Sequence, residues 1–430
     1  MNVRRLRLLV AASALLLSGA ACERMGSGAN PEVPIWAHRP SYSMSLSYSR
    51  ELVAPSRRLG EPYERGQPEI DPAHRRVFVG SSDRGFYALR AEDGTLLWRF
   101  ETLAFVQCEP LYDSVDDAVY FGSNDGALYK VDAATGQLQW RFRSNAEVAR
   151  RPVLSNGVLY VVNANDTVLA IDAKTGELKW SQHRAPALGM EVAGYAGPLV
   201  WRNKVYAAFS DGTVTAFDAT TGAERWQPVD LAAEAEQFLG HLPKYLDTDT
   251  TPVPDEIEAG PVVYVGSYEG GAFALEAETG TQIWSNPAVG GVTELVLWQQ
   301  PAHRRRGGKG GLDLPARKLL LAATGTTGLW GLDPETGQEV WRRALPTGGI
   351  SRPVPILGAL LVSTTQLGLF LLNPVDGGIM DGIHTGEGIF MVPAVEEYRA
   401  FVMTNGGQLL SVHVAPPETE AADATPELRF

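Results

Sequence analysis

The chain has almost no cysteine: its 430 residues include only Cys22 and Cys108. Two cysteines cannot build the disulfide framework that supports small secreted folds. The seven histidines are scattered, and together with Cys108 they show no spacing typical of a metal site. We therefore expect no bound metal and a fold held by a hydrophobic core, for which 44% of the residues are suitable.

Basic residues are in the minority, with 37 Lys and Arg against 50 Asp and Glu and a formal net charge of −13. Neutralising phosphates requires clustered Lys and Arg, so this balance argues against nucleic acid as a partner. The segment 303–311 is a local exception, because it is basic and rich in glycine. It is typical of a solvated loop, and contact with anionic lipid or an acidic partner is the alternative.

The N-terminal apolar run, Leu8 to Leu17, is too short to span a bilayer comfortably as a permanent helix. Arginines precede it and small residues follow it, which is the order of an export signal. We therefore expect residues 1–21 to be a signal peptide. Residues 22–40 are mostly small and polar, which predicts a flexible tether.

Cys22 follows the signal directly, and the segment that ends there resembles a bacterial lipoprotein signal. The resemblance implies that Cys22 is lipidated, although Gly19 stands where such signals usually have leucine. Because the next residue is Glu23 rather than aspartate, it also implies the periplasmic face of the outer membrane. Secretion without a lipid is the alternative.

A repeated motif determines the architecture. Five segments place an acidic residue four positions before glycine and that glycine four positions before tryptophan, and an earlier copy has Arg90 in place of the acid. The motif tryptophans are Trp98, Trp140, Trp180, Trp226, Trp284 and Trp341. Their successive separations are 42, 40, 46, 58 and 57 residues. The first three match one four-stranded propeller blade, and the last two indicate insertions at 231–239, which has helical propensity, and at 303–311.

The ends of the chain complete the ring. A seventh unit lacks the tryptophan, and strands predicted at 389–395, 400–404 and 408–414 lack a fourth partner. The alternating segment 41–48 supplies that partner. We therefore predict an all-β fold over residues 41–415: an eight-bladed β-propeller of four-stranded antiparallel blades, closed by an N-terminal strand in the C-terminal blade. Seven blades is the alternative, and residues 416–430 are predicted to be a disordered tail.

The motif residues have structural roles first. The acid accepts hydrogen bonds from turn backbone, and the glycine adopts positive φ without a steric penalty. The tryptophan ring packs between neighbouring blades, where its N–H finds an acceptor.

The blade motif resembles that of PQQ-dependent alcohol dehydrogenases and their non-enzymatic relatives. Within that superfamily the run from Tyr245 to Pro252, with its Asp-x-Asp-Thr-Thr-Pro core, resembles the BamB family of propeller lipoproteins. That resemblance covers roughly residues 22–415. It implies a non-catalytic scaffold of the outer-membrane β-barrel assembly machinery, without a cofactor. The implied partners are a POTRA domain of the barrel-assembly protein BamA and the membrane through the lipid, with unfolded outer-membrane proteins as a further candidate.

Two loops dock on the POTRA domain in that family. Asp247 and Asp249 match the acidic residues of one loop. In the other, Leu188 and Met190 stand where the family has apolar contacts, but Glu191 stands in place of the expected arginine. The alternative for the two aspartates is a structural one, in which they only accept hydrogen bonds from their own loop.

Two other functions remain open from the sequence. A quinoprotein dehydrogenase implies a calcium site, a catalytic aspartate and a cofactor in the central channel. The chain lacks the adjacent cysteines common in those enzymes and is shorter than they are. A periplasmic scaffold unrelated to barrel assembly is the third class, since propellers host many functions.

Overall fold

Each sequence repeat forms one four-stranded antiparallel sheet, because its short apolar segments are separated by tight turns. The structure, a computed structural model, describes residues 43–53, 63–185, 196–241, 245, 247–304, 313–345 and 348–415. Within these ranges it contains 34 strands, one helix and eight four-stranded sheets. The chain is therefore an eight-bladed β-propeller, and the prediction of eight rather than seven blades is confirmed.

In the first four blades the strands run in chain order from the channel to the rim. Blades 1 to 4 consist of β2–β5 (Glu69–Asp71, Arg76–Gly80, Gly85–Arg90, Leu96–Glu101), β6–β9 (Leu111–Asp113, Ala118–Ser123, Ala127–Asp132, Leu138–Arg143), β10–β13 (Val153–Ser155, Val158–Asn163, Thr167–Asp172, Leu178–His183) and β14–β17 (Leu199–Trp201, Lys204–Ala208, Thr213–Asp218, Val229–Asp230).

The other four blades follow the same order, with one insertion and one shared strand. Blades 5 to 8 consist of β18–β21 (Val253–Ile257, Gly260–Ser267, Gly271–Glu276, Gln282–Asn286), β22 with β25–β27 (Val292–Gln300, Arg317–Thr324, Leu329–Leu332, Glu339–Arg343), β28–β31 (Val354–Ile356, Ala359–Ser363, Gly368–Leu372, Ile379–His384) and β32–β34 with β1 (Ala394–Glu396, Arg399–Met403, Gln408–Ala415, Ser43–Glu51).

The N-terminal strand closes the ring, as the sequence predicts. β1 pairs antiparallel with β34 from Ser43 opposite Ala415 to Glu51 opposite Gln408, with a bulge between Leu46 and Tyr48. The expected strand at 389–395 is wrong in extent, because β32 begins only at Ala394. The preceding residues connect blades 7 and 8, and Pro393 has no N–H to donate to a ladder.

The two insertions have different structures. The first contains helix α1, Leu231–Leu239, with Asp230 as N-cap and Gly240 as left-handed C-cap. The second lengthens the two innermost strands of blade 6 and continues as the short pair β23 (His303–Arg304) and β24 (Asp313–Leu314). No helix in the described ranges is long and apolar enough to cross a membrane.

The two middle strands of each blade are buried on both faces, because neighbouring blades cover them. Every residue of β3 and of β7 is buried. Between these blades, the Phe86 and Phe121 rings stack with centroids 3.9 Å apart. Cys108 lies in the same cluster, and burial raises the pKa of its thiol to about 12, so it is a packing residue rather than a reactive one.

The repeated motif joins consecutive blades. Trp140 of blade 2 donates from Nε1 to the carbonyl of Ala173 in blade 3 at 3.1 Å, and its ring lies on Gly176. A Cβ on Gly176 would approach Trp140 Cδ2 at 2.8 Å. Asp172 Oδ1 accepts hydrogen bonds from two backbone N–H groups of the same turn. The acid therefore shapes the turn, and the glycine leaves room for the ring of the preceding blade.

The contact recurs around the ring with two variations. All six motif tryptophans lie on the turn glycine of the next blade: Gly136, Gly176, Gly222, Gly280, Gly337 and Gly377. Trp226 differs from the others because its buried N–H has no acceptor in the described ranges. In blade 8, whose outermost strand is β1, Tyr48 takes the place of tryptophan and lies on Gly94 of blade 1.

We expect Gly176→Ala to destabilise the protein more than Gly157→Ala. Both glycines have φ near +75°, so alanine costs roughly 1–2 kcal/mol at either position. Of the two, only Gly176 lies against a tryptophan, whereas no described residue lies within 4 Å of a Cβ on Gly157. The crowding should add about 1–3 kcal/mol, measured by urea denaturation. Equal losses would show that the Trp140 contact does not contribute.

Candidate functional site

The candidate site lies on the face of the propeller where the chain passes from one blade to the next. The segment 247–252, here called the acidic loop, leads from α1 into the innermost strand of blade 5. Leu188, Met190 and Cys22 lie outside the described residues. The site is therefore built from the acidic loop and the described residues that contact it.

Backbone groups and threonines hold the acidic loop in place. The N–H of Thr248 donates to the carbonyl of Phe209, and the N–H of Tyr268 donates to the carbonyl of Asp247 at 3.3 Å. Thr250 Oγ1 accepts from the N–H of Gly266 at 2.7 Å and donates to its carbonyl at 3.1 Å. The loop is thus fixed without the use of its carboxylates.

The acidic loop also contacts the end of the connection that contains the second predicted docking segment. Gly197 comes shortly after that segment, and its N–H donates to Thr251 Oγ1 at 3.0 Å. A Cβ on Gly197 would approach this same oxygen at 2.9 Å. The connection between blades 3 and 4 therefore meets the acidic loop where it enters blade 4.

Asp247 is buried and Asp249 is half-buried, and three of their four carboxylate oxygens are buried without a hydrogen bond from the described residues. Asp247 is 3% exposed, and neither of its carboxylate oxygens has a hydrogen-bond partner in the described part of the chain. The same holds for Oδ1 of Asp249 and Oγ1 of Thr248. By contrast, Oδ1 of Asp172 in a blade turn accepts hydrogen bonds from two backbone N–H groups. The Asp247 carboxylate therefore does not cap its loop, and its burial needs another explanation.

Burial and neighbouring acids both disfavour the charged form of this pair. Burial, followed by the charge of Asp247, raises the pKa of Asp249 from 3.8 to about 6, and the Arg150 guanidinium opposes the shift. Glu294 and Asp166 add to it. Burial likewise raises the pKa of Asp247, with Glu269 adding to the effect. Three other carboxylates and one guanidinium thus act on Asp249, and the excess of negative charge favours a positively charged ligand.

Ion pairs cross the mouth of the central channel beside the acidic loop. Arg150 contacts Glu294 at 2.6 Å, Arg352 contacts Glu109 at 2.8 Å, and Arg151 bonds Glu69 through two nitrogens. Although burial alone would raise it, Arg352 and Arg151 hold the pKa of Glu109 below its usual value. A cavity of about 350 Å³ adjoins the Arg352–Glu109 and Arg151–Glu69 pairs and is lined also by Ile70, Val296, Val354 and several prolines.

A second group of ionisable residues was not recognised from the sequence. Asp71, His74 and Asp117 bring three possible metal-ligand atoms within 4.8 Å of one another. Arg76 pairs with both carboxylates, so a guanidinium already occupies the position of the cation. The group joins blades 1 and 2, and spacing alone does not reveal such a contact.

Comparison with known proteins identifies the family. The family model described as outer membrane protein assembly factor BamB matches residues 111–299 and 293–415. This chain belongs to the BamB family. A BamB from Legionella pneumophila (strain Paris) is 26% identical over 162 residues, and the match spans 37% of this chain and 37% of that relative's length.

Solved structures agree with the BamB fold. The crystal structure of BamB from Moraxella catarrhalis superposes with a TM-score of 0.65 at 18% identity, covering 86% of this chain and 100% of that one. A quinohemoprotein alcohol dehydrogenase from Pseudomonas putida HK5 superposes with a TM-score of 0.61 at 15% identity, covering 86% and 76%. At these identities both likenesses show the fold alone.

We expect Asp247→Ala to stabilise the protein and Asp172→Ala to destabilise it. At pH 7.5 the first change removes a buried carboxylate without a partner, which should raise the free energy of unfolding by roughly 1 kcal/mol or more. The second removes the acceptor of two backbone N–H groups, which should cost about 1 kcal/mol. Urea denaturation measures both, and a loss of stability in Asp247→Ala would mean that this carboxylate is structural.

Proposed function

We propose that this chain is a non-catalytic scaffold of the outer-membrane protein assembly machinery that binds a POTRA domain of a BamA-like protein. By this proposal it is anchored through lipidated Cys22 at the periplasmic face of the outer membrane, where it assists folding and insertion of β-barrel proteins. The mass of the mature protein tests the anchor. The observation that supports the docking role is that both carboxylate oxygens of Asp247 and Oδ1 of Asp249 lie in a fixed loop without a hydrogen-bond partner among the described residues.

The chemistry of the acidic loop favours a basic group from the partner. Asp249 is partly exposed, whereas Asp247 is buried. An arginine has a long apolar stem and five N–H donors in a planar fork, so its guanidinium suits oxygens that lie below a surface. The loop needs no rearrangement, because its backbone is already bonded to blades 4 and 5. Binding would supply the missing hydrogen bonds and neutralise part of the excess negative charge.

The apolar part of the interface remains a prediction. Leu188 and Met190 belong to the connection that ends beside Thr251. Their side chains would add apolar contacts next to the acidic pair, which is the usual arrangement of apolar core and charged groups in a docking site. Unfolded outer-membrane proteins are a second class of ligand under this proposal.

We expect the double variant Asp247→Ala/Asp249→Ala to lose binding to the purified POTRA domains of the BamA-like protein from the same bacterium. Removing the carboxylates that pair with a buried cation of the partner costs about 2 kcal/mol or more of binding free energy. The dissociation constant should therefore rise at least about 30-fold. Calorimetry measures it. The control, Glu177→Ala/Glu339→Ala, removes two exposed carboxylates and should bind like the unchanged protein. Equal affinities of the two double variants would refute docking through the acidic loop.

We also expect binding to weaken as the pH falls from 7.5 to 5. A cationic partner needs ionised Asp249, whose pKa is about 6, so affinity should fall up to about tenfold per pH unit below that value. The free protein should respond in the opposite sense. The pKa of Asp249 is about 6 in the folded state and 3.8 in the unfolded state, so between these two pH values the folded protein binds the proton more tightly. This contribution to stability is lost as the pH rises through 6.

Asp249→Asn is the control for this pH dependence. It removes the titrating group, so both profiles should become flatter between pH 5 and 7.5. A profile for Asp249→Asn that matches the unchanged protein would assign the dependence to another residue.

A further inference from the structure

One arginine beside the acidic loop connects three parts of the ring. Arg150 precedes the innermost strand of blade 3, and Glu294 lies in the innermost strand of blade 6. Their side chains meet at 2.6 Å, from Nη1 to Oε1. Because blades 3 and 6 are not neighbours, this ion pair crosses the mouth of the channel. Nη2 of the same guanidinium donates to the backbone carbonyl of Asp249 at 3.1 Å.

Arg150 bonds the main chain of the acidic loop but does not bond the Asp249 carboxylate. It holds the main chain at Asp249 through the carbonyl oxygen, while Glu294 takes the ion-pair contact. Oδ1 of Asp249 has no hydrogen-bond partner in the described part of the chain, although a guanidinium is bonded to the carbonyl of the same residue. A planar fork can serve two acceptors at once in this way, and the single ammonium of a lysine cannot reproduce the geometry.

We propose that Arg150 and Glu294 are positioning residues of the docking site. Arg150 fixes the main chain of the acidic loop, and Glu294 keeps the guanidinium away from the two aspartates, which leaves them for the partner. The inference rests on the proposed function. Without Glu294, Arg150 turns to the Asp249 carboxylate and competes with the basic group of the partner. Without Arg150, the loop loses its bond to the channel.

The neighbouring ion pair provides a matched control. Arg151 follows Arg150 directly, is 35% exposed compared with 25%, and pairs with Glu69 across the same mouth. Its described hydrogen bonds all go to Glu69, and none reaches the acidic loop. A general weakening of the channel mouth should therefore appear in Arg151→Met as strongly as in Arg150→Met.

The affinity of Arg150→Met, Glu294→Gln and Arg151→Met for the POTRA domains tests the proposal. At pH 7.5 the first two should bind at least about tenfold more weakly than the unchanged protein, and Arg151→Met within about twofold of it. The pH midpoint of binding should move in opposite directions. It should rise in Arg150→Met, which loses a cation that lowers the Asp249 pKa, and fall in Glu294→Gln, which loses an anion that raises it.

Unchanged affinity and midpoint in Arg150→Met, or an equal loss in Arg151→Met, would overturn the inference. Hydrogen exchange of residues 247–252 in the free protein supplies a second readout. It should become faster in Arg150→Met and stay unchanged in Arg151→Met. If the unchanged protein fails to bind POTRA domains, the proposed function fails, and the exchange measurement still decides whether Arg150 holds the loop.

Discussion

The ring depends on the contact between an aromatic side chain of one blade and a turn glycine of the next. A single blade cannot cover both faces of its own sheet, so its middle strands are buried only when neighbours are present. The tryptophan supplies this cover at the rim and donates its N–H to the same turn, as Trp140 does to Ala173. Tyr48 on Gly94 extends the series across the point of closure. Seven of the eight junctions are joined in this way. Blade 7 has no motif tryptophan, and there the N–H of Met44 in blade 8 donates to Asp381 Oδ2 of blade 7 at 2.8 Å.

Much of this frame could be predicted, because the contact leaves a spacing in the sequence. Acid, glycine and tryptophan recur with the blade period, and the unpaired strands at the two ends indicate how the ring closes. Tyr48 could not be predicted in its role, since no glycine or acid precedes it in register. Nor could Arg352 and Glu109, which are 243 residues apart. Sequence spacing does not report which side chains meet across a channel.

The acidic loop also has features that the sequence does not predict. Family resemblance indicates Asp247 and Asp249, but it does not show that threonine hydroxyls and main-chain groups make the hydrogen bonds that fix the loop. That division follows from the fold, because Thr250 and Thr251 reach backbone groups of blade 5 and of the entry into blade 4. The carboxylates are left in a partly dehydrated, acidic setting that raises the pKa of both. The sequence indicates which two aspartates matter, but it does not indicate that their pKa values are raised.

Acidic residues therefore have different roles inside and outside the blade repeat. Where the period holds, turn acids such as Asp172 accept backbone hydrogen bonds, and the local rules of stability are obeyed. Where the period breaks, between blades 4 and 5, the Asp247 carboxylate is buried without a hydrogen-bond partner among the described residues. Strained or unsatisfied groups persist only when the surroundings enforce them, and the propeller enforces these through the bonds to Thr250 and Arg150. A rigid ring can keep charged groups in an unfavourable place, and a partner with the opposite charge gains from that arrangement.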